Sequence, residues 1–289
     1  IVDTILVDEA HRLNEKSGMF QNMGENQIKE IIHAARCSVF FIDESQRVTM
    51  NDIGSVAENE KWANRAGAQI TKMELVSQFR CNGSDGYLAW LDNTLDIRET
   101  ANWDMQDIDY DIQIMDSPHD VRNIILEKNV ASNNKARLLA GYCWDWPKAS
   151  RNKTTEPDII IGDFKMSWNL ENTSTFAIDE NSVNEIGCIH SSQGLEFDYV
   201  GVIIGEDLRY EDGKVVTDFT KRAKTDQSLK GIKKLHKENP EKAQKTADEI
   251  IKNTYRTLMT RGMKGCYVYC VDENLSEYLK SSIGKEEES

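Results

Sequence analysis

Long apolar runs are missing from this chain: no stretch of its 289 residues approaches the roughly 20 consecutive apolar residues of a membrane-spanning helix. The opening residues, IVDTILVDEA, lack the basic start and long apolar core of a secretory leader, so a cytoplasmic protein with no membrane association is expected. Prolines number only 4, and hydrophobic residues (39%) exceed charged ones (29%), a balance that excludes a disordered chain. CxxC pairs are absent too, the closest cysteines being Cys266 and Cys270 in a strand-like run. Cys37, Cys81, Cys143, Cys188, Cys266 and Cys270 are scattered, whereas a structural zinc site wants CxxC pairs, so buried thiols in a reducing compartment are expected. An excess of cations is the last absence. A formal net charge of −14 excludes a protein that coats nucleic acid over its whole surface, while leaving room for a local basic strip.

What is present is a series of short Val- and Ile-rich runs separated by helical stretches. The runs are TILV (4–7), VFFI (39–42), IIIG (159–162), IGCI (186–189), YVGVII (199–204) and CYVYCV (266–271). Such runs are expected of strands buried on both faces in a parallel sheet, so the class reads as α/β. Helices are predicted near 25–36, 55–66, 84–94, 117–130, 241–261 and 273–281, from apolar spacing of three and four and from starters such as Ser117 before Pro118. The length suits two lobes. The acidic stretch 96–111 places their boundary close to residue 100, and the acidic tail at 285–289 reads as a frayed end. A chain that starts on what reads as an interior strand is expected to be a truncated piece.

Five stretches carry chemistry. ILVDEAH (5–11) is an apolar strand ending in two carboxylates; Asp8 is expected to hold Mg²⁺ and Glu9 to polarise a water, although an acidic helix start has the same letters. FFIDESQ (40–46) ends in an amide, Gln46, of the kind that hydrogen-bonds both a γ-phosphate and an attacking water; a polar turn after a strand also looks this way. ELVSQFRCNGS (74–84) puts Arg80 after a strand-like run, a candidate bidentate phosphate clamp or else a solvated surface arginine. IGCIHSSQGLEFDYVGVIIG (186–205) is the most informative. Glu196 is a candidate for a ribose hydroxyl, and Ser191, Ser192 and Gln193 for nucleic-acid backbone or nucleotide, with His190 beside them on the nucleic-acid side. NTYRTLMTRGMKGCYVYCV (253–271) ends a helix at Arg261, which suits either charge on a transferred phosphoryl group or the dipole of a helix C-cap.

In this order the stretches resemble motifs II to VI of superfamily 1 helicases of the UvrD/Rep-like kind. Most closely they resemble the bacterial Schlafen group 3-like DNA/RNA helicase domain family, through VDEAHR, FIDESQ, SQFRCNGSDGYLAW, SSQGLEFDYVGVIIG and YRTLMTRGMKGCYVY. The resemblance covers nearly the whole chain. It implies two P-loop NTPase (RecA-like) lobes, the end of the first at 1–100 and the second at 101–289, with ATP and Mg²⁺ as ligands. Asp8 and Glu9 would act on metal and water, Gln46 would sense the γ-phosphate, and Arg80 and Arg261 would contact phosphate. Gly194, Glu196 and Arg256 would lie on the nucleotide side. Superfamily 2 is disfavoured, because its sixth motif reads like QRxGRxGR and TRGMKG does not.

One departure matters. A GxxxxGK[ST] loop should precede the DEAH strand, and the 289 residues contain none. The phosphate cradle is therefore expected in a preceding segment, and this polypeptide alone is expected to hydrolyse nucleotide negligibly. A basic stretch from Lys221 to Lys237 includes Lys230, Lys233 and Lys234 and suits the backbone of single-stranded DNA or RNA, or else is a solvated helix. Trp144, Trp146 and Trp168 suit stacking on bases, though tryptophans are more often buried. Three functions remain open from sequence: a nucleic-acid-dependent motor ATPase, a nucleotide switch that unwinds nothing, and an inert partner-binding lobe.

Overall fold

A computed structural model describes residues 1–17, 23–74, 81, 84–145, 157–168, 175–192 and 194–284. Arg80, Gln193 and Trp146, singled out from sequence, lie outside the described residues. The chain forms two compact units, Ile1–Val76 with Gln227–Lys230, and Ser77–Asp226 with Gly231–Ser289.

In the first unit, β1 (Val2–Val7) pairs in parallel with β2 (Ala35–Phe40), with Val2 opposite Ala35 and Val7 opposite Phe40. The crossover between them is α1 (Gln27–Ala34), and α2 (Val56–Arg65) packs on α1. Both helices start on side-chain caps. Asn26 Oδ1 accepts from the amides of Ile28 and Lys29, and Ser55 Oγ accepts from that of Glu58 at 3.1 Å, which satisfies donors that a helix start leaves open. The segment 227–230 joins this unit through Met50, whose amide donates to the Ser228 carbonyl at 2.8 Å.

The second unit begins with α3 (Asp85–Thr94) and continues through β3 (Asp111–Ile114), α4 (Pro118–Ala131), β4 (Ala136–Ala140), β5 (Ile159–Ile161), β6 (Phe164–Met166), β7 (Ile186–Gly187), α5 (Ile189–Ser192) and β8 (Phe197–Ile204). It ends with β9 (Leu208–Glu211), β10 (Lys214–Thr217), α6 (Ile232–Glu238), α7 (Pro240–Met259), β11 (Gly262–Cys270) and α8 (Glu273–Ile283). Five strands form one parallel sheet in the order β3-β11-β8-β4-β7, flanked by helices. This is a mixed α/β fold. Helix α4 starts at Ser117, with Pro118 in its first turn, and lies close over β8: a Cβ on Gly201 would stand 2.6 Å from Val121 Cγ1. The core holds Leu138, Leu139, Val200, Val202 and Val268, all at most 1% exposed.

Several sequence expectations need correction. The strands β1 and β2 are not buried on both faces; Val2, Leu6, Val39 and Phe41 are exposed. IIIG does not enter the main sheet, because β5 folds back antiparallel on β6. Only Ile186 and Gly187 of IGCI form a strand, after which Ile189 starts a helical turn. The unit boundary falls before α3 rather than near residue 100, because α3 is anchored in the second unit: the Tyr87 hydroxyl donates to the Met259 carbonyl at 3.0 Å and Trp90 Nε1 to that of Ser282 at 2.9 Å. Cys37 is exposed, against the expectation of buried thiols, while Cys81, Cys188, Cys266 and Cys270 are buried; none of the six is in a disulfide.

Candidate active site

Parallel pairing of β1 with β2 brings the ends of both strands to one edge. The Phe41 amide donates to the Val7 carbonyl at 2.9 Å and the Ala10 amide to that of Phe41 at 2.8 Å, so Asp8–Glu9 and Asp43–Gln46 follow neighbouring strands at their carboxyl ends. In open α/β sheets ligands bind at that edge. Asp8 is exposed, and its Oδ1 accepts from the Glu9 amide at 2.9 Å. Glu9 sits at φ 51°, ψ 40°, a left-handed conformation that a residue with a Cβ takes at a cost and that clusters at functional turns.

His11 ties the two strand ends together. It is 1% exposed, its Nδ1 accepts from the Asp43 amide at 3.4 Å, and its Nε2 lies 3.0 Å from Glu9 Oε2. With Nδ1 accepting, Nε2 is the ring atom that faces the glutamate. Sequence reasoning gave this histidine no role, although it stands in the DEAH letters. Beyond it, Gln46 is 2% exposed, and its side-chain amide donates to Asp43 Oδ2 at 2.8 Å. Asp43 Oδ1 takes the Ser45 amide at 3.1 Å, which closes a short 3-10 turn. Gly54 supports the acid turn from behind; a Cβ there would stand 1.8 Å from the Ala10 carbonyl oxygen.

In the second unit the sequence-predicted residues are spread more widely. Ser191 and Ser192 are buried and spend their hydroxyls on their own turn, both donating to the Cys188 carbonyl, at 3.0 and 2.9 Å. His190, Gly194 and Glu196 are exposed, with Gly194 at φ 83°. Arg261 is 1% exposed; its Nε donates to the Thr257 carbonyl at 3.2 Å and its Nη1 to the Leu195 carbonyl at 3.3 Å. It thereby joins the end of α7 to the loop before β8. Arg256 is engaged by both carboxylate oxygens of Asp92. Lys233 and Lys234 are exposed on α6, where Lys234 lies 3.8 Å from Glu238, and Lys230 is exposed in the first unit. The basic stretch is partly neutralised: Lys221 pairs with Glu206, and Arg222 is buried against Asp207 and Asp226 at 3.0 and 2.8 Å.

That buried cluster follows β8 and includes Tyr255 of α7, which donates to Asp207 and accepts from the Gly205 amide at 3.0 Å. Burial opposes the Arg222 charge, but Asp226 and Asp207 outweigh it and raise its pKa; burial beside Asp207 pushes the Tyr255 phenol and the Cys143 thiol well up. Among the described residues no three His, Cys, Asp or Glu side chains gather as a metal site. Mg²⁺ in phosphoryl-transfer sites needs only one or two carboxylates besides the substrate phosphates, a donor set that exposed Asp8 suits.

A parallel sheet flanked by helices in one unit, with acid and amide groups at adjoining strand ends of the other, defines a mixed α/β protein. The chain belongs to the Schlafen group 3, DNA/RNA helicase domain family, whose model matches residues 1–272. It is similar to the uncharacterized protein YPL245W of Saccharomyces cerevisiae, 25% identical over 302 residues. The match takes in 96% of this chain but 64% of the yeast protein, so the chain spans less than two thirds of its relative. No described helix is long and apolar enough to cross a membrane.

Proposed function

We propose that this chain is the larger part of an ATP-dependent, helicase-like motor of superfamily 1 that couples hydrolysis to movement on, or remodelling of, DNA or RNA. The observation that carries the reading is the placing of Asp8–Glu9 and Asp43–Gln46 at neighbouring strand ends, bridged by His11. In it Glu9 is the base that orients and polarises the attacking water, with the His11 ring 3.0 Å from its carboxylate. Gln46, fixed by Asp43, reads the terminal phosphate. Asp8 would hold Mg²⁺, which when bound supplies neutralising charge beside the phosphates. The phosphate cradle is not among these residues, and we assign it to chain outside them, a reading supported by the greater length of the yeast relative.

The test is ATP turnover by the full-length protein with and without single-stranded DNA or RNA, beside Glu9→Gln. Loss of a general base costs about 10²- to 10⁴-fold. Stimulated turnover that collapses in the variant is the expected result. Unstimulated turnover would point to a nucleotide switch, and none at all would end the enzymatic reading.

A further inference from the structure

The second unit carries a cleft that the proposed hydrolysis does not use. It lies between the β9–β10 hairpin and α8 and has a volume of about 730 Å³. One wall follows from helical spacing: Asn274 is followed three and four residues later by Glu277 and Tyr278, on one face of α8. The hairpin supplies Tyr210 and Glu211 from β9 and Asp212 from its turn. Asp272 fastens the two walls together. Its Oδ1 caps α8 by accepting from the Leu275 amide at 2.8 Å and accepts also from the Tyr210 amide at 3.1 Å.

The lining suits a cation. The Tyr210 and Tyr278 rings stack at 4.1 Å with 10° between their planes, a flat pair whose π-faces are negative. Carboxylates surround them, and among the described residues no lysine or arginine lines the cleft. Glu211 and Glu277 are paired with Arg209 and Lys280 at 2.7 and 2.8 Å, whereas exposed Asp212 makes no ion pair among the described residues. Asp212 and Gly213 take φ of 49° and 79°, the geometry of a tight hairpin turn, so this carboxylate stands at a fixed tip. Apart from the two half-buried rings, these lining side chains are exposed. An open cleft does not wrap a small molecule as an enclosed pocket does; it suits a side chain that another protein presents. A planar guanidinium stacks on aromatic faces, offers a carboxylate two N–H groups and is weakly hydrated, whereas a compact, strongly hydrated ammonium matches the charge alone. The net charge of −14 draws a basic partner in.

We propose that this cleft docks an arginine side chain of a partner protein, its guanidinium stacked on the Tyr210–Tyr278 pair and held by Asp212. The docking needs neither nucleotide nor nucleic acid and stands apart from the hydrolytic reading.

Fluorescence anisotropy of the 289-residue chain tests this with two labelled Gly-Ser peptides of equal charge, one carrying arginines and the other the same number of lysines. The arginine peptide should bind roughly fivefold tighter, the size of gap that cation–π stacking supplies. Tyr278→Phe should keep the gap and Tyr278→Leu lose it. A second pair of variants avoids the half-buried ring. Asp212→Asn, at an exposed position whose left-handed backbone asparagine tolerates, should weaken the arginine peptide roughly threefold. Glu127→Gln, the same loss of charge on the exposed surface of α4 outside the cleft, should leave it unchanged. Equal binding of the two peptides by the parent chain, a gap that survives Tyr278→Leu, equal effects of Asp212→Asn and Glu127→Gln, or binding of neither peptide overturns the proposal.

Discussion

Strand β4 is buried at every residue, whereas β1 and β2 have no fully buried residue between them, although β1, like β4, is built largely from aliphatic side chains. By the pairing register, Leu6 stands opposite Val39, and Phe41 follows two residues on, so they share one face, at 68%, 36% and 43% exposure. Burial depends on neighbours as much as on composition: β4 has a strand on each side, while among the described residues β1 and β2 pair only with each other. The second unit is therefore held by its core. The first buries fewer apolar residues, Ala10, Ile28 and Val48 among them, and adds caps and polar ties at the strand ends, where the proposed chemistry also lies. Breaking that comparison calls for changes matched across the two units.

The largest effect is expected at the buried cluster of the second unit. Arg222→Met leaves the Asp207 and Asp226 carboxylates without their shared cation, and removal of one partner from a buried pair costs about 3–5 kcal/mol. Denaturant melts should show a loss of that size; a loss below about 1 kcal/mol, the range of exposed pairs, would mean the cluster is solvated. Next comes a matched pair. Leu138→Ala, at 1% exposure, should cost about 2–5 kcal/mol, whereas Leu6→Ala should stay within about 0.5 kcal/mol. If Leu6→Ala proves as costly as Leu138→Ala, the face it shares with Val39 is covered in solution.

A smaller loss of stability with a larger loss of function is expected at Gly54→Ala. The added Cβ must push the Ala10 carbonyl away, at about 1–3 kcal/mol for overpacking, and the displaced turn is the one that aims Glu9. ATP turnover of the full-length protein should fall more steeply than its melting point. Equal turnover with a shifted melt would separate Gly54 from the site.

How far the sequence disclosed all this differs between the units. Helices were legible because their starts are written in local letters: Asn26, Ser55, Ser84, Ser117, Asn239 and Asp272 all cap with their side chains. Strand β3 was hidden because DIQI sits in an acidic stretch, and β4 because ARLLA has helical letters. Its Arg137 is 0% exposed, made tolerable by a ring of acceptors from Phe176, Ala177, Asp179 and Ser182 that only the fold assembles. The acid pair and Gln46 were legible as strand ends. That His11 joins them was not, because the contact needs the parallel register of β1 with β2.

The smallest effect concerns pH, at the edge of the second unit's sheet. Asp111 of β3 is partly buried, which raises its pKa, but hydrogen bonds from Tyr267 and Lys128 outweigh burial and hold it below the ordinary 3.8. A carboxylate whose folded pKa is depressed adds stability that is fully present above its unfolded pKa and is lost as pH falls through the folded one. The contribution of Asp111 should therefore be intact at neutral pH and fade below about pH 4. Asp111→Asn should flatten the acid limb of the second unit's stability curve. The matching change in the first unit, Asp3→Asn, removes a carboxylate paired with Arg36 at 3.4 Å where both side chains are at least 80% exposed. Screening by water leaves such a pair little to lose. If the two variants flatten their acid limbs equally, partial burial of Asp111 contributes nothing, and the contrast between a packed and an open sheet does not reach the electrostatics at its edges.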